Sequence, residues 1–152
     1  MSIRRTRMPL TVLAALAAAT AFATPAGATV YEQEISVRPY AQLAADGTIT
    51  LSGSYKCSTA SPSGAMQISA TVVQEGTRLT TTAEESPVCD GTEREWRGTA
   101  GTPQSLGIPG GIHEGEALFE ARLQEIGFSG ASLLPSSVDA VAVDSRPGRV
   151  GG

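Results

Sequence analysis

The side chains in this sequence whose types and spacing could do chemistry are two cysteines, Cys57 and Cys89, one histidine, His113, and three close pairs of carboxylates, Glu84/Glu85, Glu93/Glu95 and Glu114/Glu116. A histidine can serve as a general base, but it then needs a nucleophile to activate and a partner to hold its tautomer. His113 stands in a Gly- and Pro-rich stretch. No Gly-x-Ser-x-Gly elbow occurs in the chain, and no neighbour in sequence is placed to orient the ring. It reads as a solvated loop residue. Paired acids are the machinery of glycoside hydrolysis, provided that their environments split the two roles. Glu93 and Glu95 are two apart in a β-prone run and so share a face with Arg97, while Trp96 points to the other face. Acids on an exposed strand face are ordinarily just solvated, and the expectation is that these are not catalytic. Trp96, the only tryptophan, is expected in the core. No Asp-x-Asp-x-Asp run suggests calcium, and no P-loop or dinucleotide fingerprint is present. The residues therefore predict no catalytic, metal or cofactor site.

The cysteines are read through the compartment. Arg4, Arg5 and Arg7 precede an apolar run from Leu10 to Ala23, followed by Pro25 and the small residues Ala26-Gly27-Ala28. Such a run suits a signal peptide, whose apolar segment is about 7–15 residues, and is short of the ~20 that span a bilayer. Residues 1–28 are expected to be a signal peptide cleaved after Ala28, residues 29–144 a single secreted domain, and residues 145–152 a flexible polar tail. In an exported chain an even pair of cysteines reads as a disulfide, here Cys57–Cys89. A metal pair would want further His or Cys nearby, and a thiol nucleophile would lack an oriented base.

Charge narrows the partners. The chain has 11 basic and 15 acidic residues; without the three arginines of the signal segment the balance is 8 against 15, a net −7. Nucleic acid and anionic membranes call for clustered Lys and Arg, so neither is expected. The chain lacks Asn, and Lys56 is its only lysine beside ten arginines. That bias fits a GC-rich genome and leaves no N-glycosylation sequon.

The elements that must position these residues are strands. Ile49, Leu51, Gly53, Tyr55 and Cys57 alternate with Thr48, Thr50, Ser52, Ser54 and Lys56, the period of a half-buried strand with Cys57 on its inner face. Met66, Ile68, Ala70 and Val72 alternate likewise. Shorter runs follow at Arg78–Thr82, Thr92–Gly98 and Val138–Val143, and Ile35 and Val37 suggest a first strand interrupted by Pro39. Before the clearest strand, a three-residue loop of Ala45-Asp46-Gly47 with Gly47 left-handed would pair Leu43 with Ile49; a two-residue Asp46-Gly47 turn would put Leu43 on the polar face. Residues 116–127 have helix-favouring composition but alternate apolar and polar side chains, and strand is preferred. About seven short strands with one bridge predict an all-β, antiparallel β-sandwich of immunoglobulin-like type, with a partly open barrel as the second choice.

Three stretches together resemble a known family. They are Leu43–Cys57 with its Gly-x-Tyr-x-Cys strand, the run Cys89-Asp90-Gly91-Thr92-Glu93-Arg94-Glu95-Trp96, and Ala117–Glu125. Their order and spacing are similar to the small secreted actinobacterial proteins of domain-of-unknown-function family 6299, over roughly residues 33–143. The resemblance implies a secreted domain with Cys57 and Cys89 bridged. It implies no activity.

The expectation for function is a non-catalytic binding or interaction module at the cell exterior, with an extracellular protein or cell-wall component as partner. The alternatives are a secreted hydrolase inhibitor presenting the loop from Thr99 to Gly115 and, third, a small hydrolase.

Overall fold

A computed structural model describes residues 32–58, 64–101, 111–128 and 134–152. The signal segment and the cleavage site after Ala28 lie outside these residues. The chain forms eight strands: β1 (Glu34–Ile35), β2 (Tyr40–Leu43), β3 (Thr48–Lys56), β4 (Gly64–Gln74), β5 (Thr77–Thr82), β6 (Arg94–Gly101), β7 (Gly115–Phe128) and β8 (Pro135–Gly151). They join in one open, mostly antiparallel sheet. The all-β class and the disulfide are as expected; the immunoglobulin-like sandwich is not established by this pairing.

β3 is the organising strand. Its burial alternates without a break, with Ile49, Leu51, Gly53, Tyr55 and Cys57 inward. β6 lies along one edge of β3, and β1 and β2 share the other, at opposite ends. The β2–β3 connection is the three-residue loop: Leu43 pairs with Ile49 and Gly47 sits at φ 83°. That register keeps both apolar side chains on the buried face. β2 then pairs in parallel with β8, β8 with β7, β7 with β4, and β4 with β5.

Residues 116–127 lie within β7, a strand. Its alternation places Ala117, Phe119, Ala121 and Leu123 in the core, and this burial outweighs helix propensity. They meet Ile68, Ala70 and Val72 of β4, with Leu51, Trp96 and Val37 completing one cluster.

The flexible tail is corrected. Residues 145–151 continue β8, which pairs with β7 on one edge and, at Tyr40–Gln42, with β2 on the other. Val150 is fully buried. The strand escapes pattern reading because the partners of the inward residues Ala117, Phe119 and Ala121 are Gly148, Arg146 and Asp144. Asp144 accepts the Val37 amide at 2.8 Å and pairs with Arg146 at 2.6 Å. Gly148 has a steric cause: a Cβ there would come within 2.3 Å of the Pro39 carbonyl oxygen, which accepts the Arg149 amide.

Candidate functional site

The best-formed concavity among the described residues is a cleft of about 580 Å³ between β6 and the segment that follows β5. Its size is that of a small-ligand site. One wall is β6 itself, Arg94 to Arg97, backed by Ser52, Gly53 and Tyr55 of β3; the other is Ala83 to Ser86 with Val88. The sheet makes this gap because the chain leaving β5 is held first by β4 and then by β6 before it departs. The Ala83 amide bonds the Ile68 carbonyl, and the Glu84 amide bonds the Arg97 carbonyl, both at 2.9 Å.

The far end of the segment is fixed again. Cys89 is bonded to Cys57 at the end of β3, the Gly91 amide donates to the Cys57 carbonyl at 2.8 Å, and the Val88 amide donates to the Tyr55 hydroxyl at 3.0 Å. Asp90 and Arg94 close the corner with an ion pair of 2.6 Å. The Arg94 guanidinium, helped by the Thr92 amide, lowers the Asp90 carboxyl to about 2.

Trp96 is in the core as expected, with 5% of its surface exposed. Its indole N–H donates to the Ser36 carbonyl at 2.9 Å. Gly53, directly opposite on β3, permits this: a Cβ at that position would lie 1.8 Å from the same carbonyl oxygen and 2.7 Å from the indole nitrogen. A glycine in the inner row of a strand signals such a close approach, and this was the signal in the sequence for the site.

The acids regroup. Glu95 points outward, opposite in sense to Trp96, and is paired with Arg38. Glu93 does not line the cleft, whereas Glu84 and Glu85 do, and Glu84 accepts a hydrogen bond from the Thr99 hydroxyl. The cleft thus holds three arginines (Arg38, Arg94, Arg97) and three glutamates, from three parts of the chain. No group of three His, Cys, Asp or Glu among the described residues could hold a metal ion.

His113 lies elsewhere and is not without partners, which corrects the reading from sequence. Its Nδ1 is 3.0 Å from the Glu114 carbonyl and its Nε2 3.3 Å from a Glu75 carboxylate oxygen. The Glu114 carbonyl first, and then the Glu75 carboxylate, raise its pKa. Glu75 occupies a two-residue β4–β5 turn with Gly76, both with positive φ, the form that suits a hairpin. The neighbouring Gln74 is buried and grips the loop, accepting from the His113 amide and donating to the His113 and Glu116 carbonyls. Of the stretch from Thr99 to Gly115, residues 102–110 lie outside the described residues. A flatter hollow of about 640 Å³ runs beside Gln74 and Glu75 toward Pro147 and Arg149.

Over residues 31–145 the sequence matches the family described as "Family of unknown function (DUF6299)", and the chain belongs to that family. No curated protein matches it.

Proposed function

We propose that this member of the family is an exported, non-catalytic binding module whose ligand site is the cleft between β6 and residues 83–88. The observation that carries the reading is the construction of that cleft. Both ends of its outer wall are pinned, by Glu84 on Arg97 and by the Cys57–Cys89 bond, while the middle is left standing off the sheet. A protein that merely needed a filled core would close such a gap, since unpaired strand edges are a liability. The curvature that brings β5 toward β6 supports a barrel-like scaffold over the immunoglobulin-like sandwich.

Catalysis is the weaker reading. Two of the three glutamates of the cleft are engaged, Glu95 by Arg38 and Glu84 by Thr99. The partners of His113 among the described residues are a carbonyl and a carboxylate, with no hydroxyl to activate. The test is capture from cell-wall and secreted fractions by immobilised wild type and by the cleft variant Val88→Asp. Capture lost in the folded variant is the expected result. A hydrolytic activity that disappears when His113→Ala, Glu93→Gln and Glu95→Gln are combined would overturn the reading in favour of an enzyme.

A further inference from the structure

The ligand class can be argued from the backbone of β6. In an antiparallel ladder, alternate residues direct both backbone groups to the same neighbour. The amides of Ser36 and Arg38 bond the carbonyls of Ser54 and Ser52, so these serines face away from β6 and Leu51, Gly53 and Tyr55 face it. Their partners are Gly98, Trp96 and Arg94. Glu95, Arg97 and Thr99 therefore turn their amides and carbonyls outward, away from β3.

At one end this outer edge is occupied. The Arg97 carbonyl takes the Glu84 amide at 2.9 Å, and the Thr99 carbonyl takes the Thr81 hydroxyl at 2.8 Å. At Glu95 it is not: neither its amide nor its carbonyl has a partner among the described residues. The cleft opens at that point, with Val88, half exposed, on its far side. An open strand edge facing a slot of about 580 Å³ is a place where a strand is missing.

Resting on the reading of the cleft as the ligand site, we infer that its ligand is an extended peptide that adds a short strand to β6 at Glu95. Such additions draw affinity from main-chain bonds and selectivity from alternate side chains. Side chains of the bound strand on the Trp96 side meet Ala83 and the half-exposed Val88 and should be apolar. Those on the Glu95 side meet Arg97 and Glu85, for whose side chains the described residues provide no hydrogen-bond or ion-pair partner, and should be charged. A sugar is the poorer fit. Tyr55 and Trp96 are only 6% and 5% exposed and offer little ring face for stacking.

The test uses the whole exported domain and blocked peptides of about seven residues, alternating valine or threonine with lysine or glutamate, read by fluorescence polarisation. Each peptide is also made with a single amide N-methylated, position by position. Loss of one backbone hydrogen bond should weaken binding about tenfold. It should do so at the one amide that donates to the Glu95 carbonyl and not at its two neighbours, which point away from β6, because the Arg97 and Thr99 carbonyls are already taken. Glu95→Pro deletes the outward N–H while leaving the β3 ladder intact and should abolish binding; Glu95→Gln should retain it. If Glu95→Pro does not fold, the N-methyl scan decides alone. Equal sensitivity at every amide, or loss with Glu95→Gln, overturns the proposal. So does failure of all the peptides. Binding of oligosaccharides in their place would sink the peptide while sparing the cleft. Capture unaffected by Val88→Asp would sink the cleft reading itself.

Discussion

β3 with β6, and β7 with β8, are both antiparallel pairs at the core, yet they are held in different ways. β7 and β8 run for 14 and 17 residues and pair along nearly the whole of β7, with two irregularities. Length is their fastening, and their outward residues Leu118, Val138 and Val143 stay exposed. β3 and β6 are 9 and 8 residues long and depend on cross-links instead: the disulfide, Tyr55 on Val88, Asp90 on Arg94 and Trp96 on Ser36. Both ladders are themselves filled; the cleft opens on the far side of β6, where the segment opposite is tied only at its ends.

If this contrast is right, the largest single effect belongs to the disulfide. Cys57→Ser with Cys89→Ser should cost about 3–4 kcal/mol in urea unfolding, the entropy of a loop spanned by a sequence separation of 32. A loss near zero would mean that the β3–β6 end is held by its ladder after all. Next comes the packing of β3: Leu51→Ala should cost about 2–4 kcal/mol and Thr50→Ala less than about 1, because only Leu51 leaves a cavity. Equal losses would show the inner and outer rows to be exchanged. At the other pair, Val150→Ala should cost about 2 kcal/mol, since its methyl groups are buried against the β2 end of the sheet. A flexible tail would register nothing.

The smallest effect is electrostatic. Asp90, held near 2 by Arg94, has a folded pKa below its unfolded value, so its contribution is present above about pH 4 and lost as the pH falls toward 2. Arg94→Gln should raise the Asp90 pKa toward the ordinary carboxylate range, followed by NMR titration. No movement would assign the shift to the Thr92 amide instead.

Sequence made some of this legible for physical reasons that can be named. The alternation of β3 and the β2–β3 hairpin register follow from a single constraint, that Leu43 and Ile49 must reach the same face. Strand in 116–127 followed from the same alternation. The end of β8 was hidden because its inward positions are Asp144, Arg146 and Gly148. Asp144 takes the Val37 amide and pairs with Arg146 two residues on, and Gly148 lies against the Pro39 carbonyl, so two of the three depend on segments far along the chain. The cleft was hidden for the same cause. Arg38, Glu84 and Glu95 come from three segments, and only folding reveals that Glu84 and Glu85, not Glu93, stand beside Glu95. The carboxylate partner of His113 was also remote, in the turn at Glu75, although its other ring nitrogen meets the carbonyl of the adjacent Glu114.

The parallel pairing of β2 with β8 also sets an order in time. Tyr40 is matched to Arg149, more than a hundred residues later, at the middle of the strand order. As the chain emerges N-terminus first, β2 must wait beside β3 with one edge bare while every other strand is synthesised. The two halves of the sheet can be sutured only after β8 appears, and a closure of such long range is slow. A chain cut short before β8 keeps both halves of the sheet but not the seam that joins them.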